Sequence, residues 1–74
     1  MSQRTLIDSS VIAALTYDSD TNVLDVEFRT GRVYRYWLIP QGVYDALRGS
    51  DSIGRHFNSE VRDHFPNREL GPDG

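Results

Sequence analysis

Hydrophobic and polar residues alternate strictly in Val23-Leu24-Asp25-Val26-Glu27-Phe28-Arg29, so that Leu24, Val26 and Phe28 face one way and Asp25, Glu27 and Arg29 the other. Period-two alternation predicts a half-buried antiparallel strand. Val33-Tyr34-Arg35-Tyr36-Trp37-Leu38-Ile39 repeats the pattern, with Tyr34, Tyr36 and Leu38 on one face and Arg35 and Trp37 on the other. A three-residue loop, Thr30-Gly31-Arg32, pairs Phe28 with Tyr34, Val26 with Tyr36 and Leu24 with Leu38, and places Glu27 opposite Arg35. A two-residue loop moves the register by one and mixes the faces.

The preceding segment, Ala13-Ala14-Leu15-Thr16-Tyr17, joins through the turn formers Asp18-Ser19-Asp20-Thr21-Asn22. A four-residue loop over 19–22 pairs Tyr17 with Leu24 and Leu15 with Val26. Ile12 breaks the alternation, which predicts a bulge near Ala13 or Ala14. Leu6 and Ile7 suit a short additional edge strand. Pro40 ends the third strand and opens a helix whose core stripe is Val43, Tyr44 and Leu47, stopped by Gly49. Ser50-Asp51-Ser52 caps a second helix, in which Ile53, Phe57, Val61 and Phe65 share one face, and Pro66 ends it. The expected fold is α+β, a three-stranded antiparallel meander with two C-terminal helices on its apolar face. It forms one domain over residues 6–65. The stretch 66–74, with two prolines and two glycines, reads as a disordered tail.

Composition narrows the function. Seventy-four residues without cysteine leave one core and no disulfide, and two histidines make a structural zinc site untenable. No apolar run approaches the roughly 20 residues of a membrane-spanning helix. Met1-Ser2-Gln3-Arg4-Thr5 leads into no secretory core, so a cytoplasmic location without membrane contact is expected. Net charge is −3, and all eight cations are arginine. That sign argues against non-specific coating of nucleic acid. An Arg-only set fits phosphate and base recognition, but a GC-rich genome is the better explanation, so only clustering gives it meaning.

Three patterns together resemble the KTSC domain family, about sixty residues long. They are Ser9-Ser10-Val11-Ile12 followed by Tyr17-Asp18; Tyr34-Arg35-Tyr36 followed by Ile39-Pro40 and Val43-Tyr44; and Ser52-Ile53-Gly54-Arg55-His56-Phe57-Asn58 followed by Val61 and Phe65. The resemblance runs from about Ser9 to Phe65, and the order and spacing of the motifs carry it. The family is named for its place at the C-terminus of some lysyl-tRNA synthetases and also occurs as free-standing bacterial and phage proteins. It implies an RNA-associated role and brings no established activity. Trp37 departs from the family pattern.

Several candidate sites follow. Tyr34 and Tyr36 could stack bases, but their shared face with Leu24 and Val26 assigns them to the core. Arg35 and Trp37 point the other way, where Trp37 suits a protein interface or self-association and a Glu27–Arg35 pair accounts for Arg35. Around the second helix, Gly54, Arg55, His56, Asn58 and Arg62 form a polar constellation for nucleic acid or an anion, helped by Arg32 and Arg35. Ordinary helix capping is the competing explanation. Glu60, Asp63 and His64 lack a nucleophile and metal-ligand spacing, so neither catalysis, a metal nor a cofactor is expected. The expectation is a non-catalytic binding module for RNA, with two alternatives. One is a protein-interaction or self-assembling domain built on Trp37, the other a module for a small nucleotide or anion.

Overall fold

The alternation in Val23–Phe28 sets the centre of the sheet. In the computed structural model, which describes residues 2–71, that segment is β3. It follows β1 (Ser2–Leu6) and β2 (Ile12–Asp18) and precedes β4 (Val33–Tyr36), α1 (Gln41–Arg48), α2 (Ile53–Glu60) and β5 (Asn67–Gly71). The sheet order equals the chain order and every neighbouring pair is antiparallel. The α+β class and the two helices agree with the expectation; the sheet has five strands, not three.

The β2–β3 hairpin has the expected register, with Tyr17 opposite Leu24 and Leu15 opposite Val26. Asn22 closes its loop at φ 59°, a conformation that asparagine tolerates better than most residues. The register shifts between Ile12 and Ala14, so the bulge lies where Ile12 broke the alternation. It lets both Ile12 and Leu15 enter the core.

The β3–β4 hairpin differs from the expectation. Leu24 faces Tyr36, Val26 faces Tyr34 and Asp25 faces Arg35. The loop is again three residues long, but it is Arg29-Thr30-Gly31: the Phe28 N–H donates to the Arg32 carbonyl and the Gly31 N–H to the Phe28 carbonyl, both at 2.9 Å. Gly31 has φ 94°, and three-residue hairpins want the left-handed residue last. Placing the glycine last starts the loop one residue earlier and moves the register by two, which preserves the faces. The expected Glu27–Arg35 pair therefore does not form. Arg35 instead grips Asp25 with two bonds of 2.8 and 3.0 Å, and Glu27 accepts two from Arg4, at 2.8 and 3.0 Å, reaching across β2.

Leu38 is not paired with Leu24. β4 ends at Tyr36, and Leu38 adopts φ 64° with its side chain 67 % exposed. This kink turns the fully buried Ile39 inward. The Ile39 N–H donates to the Asn22 carbonyl, and its own carbonyl accepts the Tyr17 hydroxyl at 2.6 Å. Pro40 then caps α1 without entering it. Tyr44 stacks on Tyr17, with ring centroids 4.4 Å apart, and Leu47 is fully buried.

α2 stops at Glu60 and does not run on to Pro66. The N–H groups of Val61 and Arg62 both donate to the Phe57 carbonyl, closing the helix, and Phe65 reaches the core edge through a turn. The chain has to reverse here, because 67–71 return as β5 alongside β4. The disordered tail expected from residue 66 is thus corrected over 67–71; residues 72–74 lie outside the described part. The edge strand foreseen at Leu6 and Ile7 is real but sits earlier, at Ser2–Leu6. No helix in the described part is long and apolar enough to cross a membrane.

Leu24 and Leu38 give opposite expectations in urea titrations. Leu24→Ala should lose about 2–5 kcal/mol, the usual cost of a core cavity. Leu38→Gly should lose nothing and gain up to about 1 kcal/mol, since the strain of the left-handed leucine exceeds the added glycine entropy. Acid stability should follow Glu27, whose carboxyl is held below the usual range chiefly by its hydrogen bond from Arg4. A carboxyl with a lowered folded pKa contributes stability above its unfolded value and loses it as pH falls through the folded one. Melting temperature should therefore drop on acidification below about 4.3, the ordinary glutamate value. Glu27→Gln should be less stable at neutral pH and should flatten that drop.

Candidate functional site

The four-residue spacing of Ile53, Phe57 and Val61 turns one side of α2 to the core. Phe57 and Val61 are buried and Ile53 packs at the margin. The same periodicity sends Arg55 and Asn58 outward together, and Arg62, in the turn that follows the helix, is exposed beside them. Beside them lies an open groove between α2, the β1–β2 loop and the β3–β4 hairpin. It has two parts, which share Ser10, Val11 and Asn58.

The part at the start of α2 has a volume of about 660 Å³ and is lined by Ser9, Ile53, Gly54 and Arg55, with Asp8 and Asp51. Ser52 caps the helix without a side-chain bond to it. A Cβ built on Gly54 would lie 3.5 Å from Val11 and 3.8 Å from the Ser9 hydroxyl, so the glycine sits against the β1–β2 loop. That loop is itself fixed: the Ser9 hydroxyl accepts the N–H groups of Val11 and Ile12. Two carboxylates beside one arginine make this a poor seat for an anion.

The second part, about 630 Å³, is aromatic. Phe28, Tyr34, Tyr36 and Phe57 line it with Arg29, Arg32, Arg62 and Asp63, and the Glu69 carboxylate borders it, accepting the Tyr34 hydroxyl at 3.4 Å. Tyr36 and Phe57 are 2 % exposed and form the floor, while Phe28 and Tyr34 are half-buried at the margin of the core. Burial holds the Tyr36 phenol above its usual pKa. Arg29 donates to the carbonyls of Ser9 and Ile7, each at 2.9 Å, and so ties the hairpin to the β1–β2 loop. Arg32 pairs with Glu69 of β5. Among the described residues the Arg62 guanidinium makes only a long contact, 3.5 Å, with the Asn58 side-chain oxygen.

The residues expected to act together are therefore divided. Gly54, Arg55 and Asn58 line the first part of the groove, and Asn58, Arg62 and Arg32 the second. His56 lines neither. Arg35 lies on the opposite face of the sheet, bonded to Asp25 in a shallow cleft with Trp37, and cannot join the others. Phe28 and Tyr34 belong to the groove although their alternation assigned them to the core; no signal in the sequence marks them, because the spacing of Phe65 makes the second helix read as longer than it is. Among the described residues no group of His, Asp or Glu side chains could hold a metal ion.

The model of the KTSC domain family matches residues 8–65. An uncharacterized protein of Stutzerimonas stutzeri is 45 % identical over 56 residues, 76 % of this chain and 79 % of that protein. A lysine–tRNA ligase of Nostoc punctiforme is 35 % identical over 63 residues, 85 % of this chain and only 11 % of the ligase. The crystal structure of a KTSC domain protein from Yersinia pestis superposes with a TM-score of 0.90 at 30 % identity, covering 96 % of this chain and all of the other.

Gly54 lends itself to a direct check. The gap to Val11 and Ser9 accepts a methyl group, so Gly54→Ala should keep or raise stability, by up to about 1 kcal/mol from helix propensity. A loss in urea melts would mean that α2 has to lie closer to the loop than this packing indicates.

Proposed function

The chain belongs to the KTSC domain family, and from that premise we propose that it is a small non-catalytic module that binds a short single-stranded RNA segment in the groove beside α2. The observation that carries this reading is the clustering of Arg29, Arg32 and Arg62 around four aromatic rings, against Asp63 and the Glu69 that pairs with Arg32, in a chain of net charge −3. Single-stranded nucleic acid is held by such a combination, arginine for phosphate and aromatic rings for bases. Acidic residues elsewhere keep the footprint short. Residues Asp8 and Asp51 beside Arg55 leave Arg62 as the main phosphate contact and give Arg55 and Asn58 a secondary part. The occurrence of a related segment within lysine–tRNA ligases, proteins named for acting on tRNA, supports the same class of partner.

A second reading has its own observation. Trp37 is half-buried on the outer sheet face, and Leu38, which follows it, is among the large apolar side chains left exposed. This pair suits self-association or a protein partner, while Arg35 and Asp25 beside Trp37 already satisfy each other.

Fluorescence anisotropy with a short unstructured RNA at two salt concentrations separates these readings. Binding should weaken with salt at a slope of about −0.7 for each phosphate neutralised, with a total set by two or three contacts. Arg62→Ala should lower affinity about tenfold, equal to roughly 1.4 kcal/mol. Arg35→Ala, on the far face, should leave it unchanged. Absence of RNA binding, together with a concentration-dependent dimer that Trp37→Ala dissolves in sedimentation, would favour the second reading.

A further inference from the structure

We propose that the corner formed by Phe28 and Tyr34 holds one unpaired nucleobase, with Arg62 taking the adjoining phosphate; this rests on the RNA reading and makes it specific. The two rings meet edge to face, with centroids 5.7 Å apart at 89°. Phe28 is braced behind by Phe57 at 5.6 Å and 70°, and Phe57 in turn meets Tyr36 at 5.4 Å and 88°. Such a chain of edge-to-face contacts fixes each ring. A planar ligand entering the corner lies flat on one wall and meets the edge of the other, a geometry an aliphatic side chain does not exploit.

The rim fits the same ligand. Thr30, Asn58 and Asp63 lie around the opening and offer both donors and acceptors, the mixture a base edge presents. Asn67 contributes less, because its amide nitrogen already donates to the Phe65 and Arg62 carbonyls. Of the arginines, Arg32 is held by Glu69 and Arg29 by two carbonyls. Arg62, with a single 3.5 Å contact to Asn58 among the described residues, is the guanidinium ready to exchange its partner for a phosphate oxygen. The cleft, at about 630 Å³, falls within the roughly 300–1,000 Å³ of small-molecule sites. It admits a nucleotide, and a base in a helix has to leave its stack to enter.

The test uses the full chain with a single-stranded RNA carrying one 2-aminopurine, and separately with the four nucleoside 5′-monophosphates followed by NMR. Aminopurine fluorescence should be quenched on binding. Tyr34→Leu should weaken binding about tenfold, whereas Tyr34→Phe, which keeps the ring, should stay within about twofold. Circular dichroism and the Tyr34→Phe variant guard against misfolding as the cause. RNA binding with unquenched aminopurine and undiminished affinity in Tyr34→Leu would overturn the base site and leave the RNA reading standing. Monophosphates that shift Phe28 and Tyr34 resonances without any RNA binding would uphold the base site and remove the RNA reading. Binding of neither ligand would overturn both.

Discussion

Two helices of eight residues each have to shield the inner face of a five-stranded sheet, and simple dimensions show that they cannot. Eight helical residues rise about 12 Å. Five strands spaced by about 4.8 Å span roughly 19 Å, and the sheet has length as well as width. α1 and α2 cover the rows from Leu15 and Tyr17 through Leu24 and Val26, where burial is complete or nearly so. Toward the β3–β4 hairpin the cover ends, and Phe28 and Tyr34 remain half-buried. The groove is the part of the inner face that the helices do not reach. Its aromatic lining follows from the same alternation that builds the core, continued past the point where anything packs on it.

The outer face has the opposite character. There the two-residue displacement of β4 decides which charges meet. It puts Arg35 on Asp25 and frees Glu27 for Arg4, so outer charges of β1, β3 and β4 satisfy one another. Pairs this exposed contribute little to stability, but they keep those arginines from serving as ligand donors. The inner face keeps Arg62 outside any such pair among the described residues. Which charges meet on the outer face therefore depends on the position of a single glycine in a hairpin loop, while the open groove on the inner face depends on the length of the helices.

Much of this was legible in the sequence. The pairing of Tyr17 with Leu24, the bulge at Ile12, the inward face of both inner strands and the stripes of both helices all follow from where apolar residues fall. The β3–β4 register was also within reach, since a three-residue loop wants its left-handed residue last and Gly31 is the natural one; centring the loop on the glycine placed it one residue late. β5 was hidden for a different reason. Asn67-Arg68-Glu69-Leu70-Gly71 borders solvent on one side and an open groove on the other, so neither face carries an apolar row and no alternation marks it. The end of α2 was misplaced because Phe65 continues the four-residue spacing after the helix has closed. Of the proposed site, Arg62 and Asn58 were visible as polar residues at the second helix, with Arg32 of the hairpin loop as a helper. The walls were not, because an alternating pattern reports which way a side chain points and not whether anything covers it.

The most direct measurement is a set of intermolecular nuclear Overhauser effects between the protein and a short single-stranded RNA. The account predicts contacts from the ring protons of Phe28 and Tyr34 to one base, with further shifts at Asn58 and Arg62 and none at Trp37. Contacts that instead gather on Trp37 and Arg35 would contradict it, placing the ligand on the outer face and leaving the groove beside α2 without a role in binding.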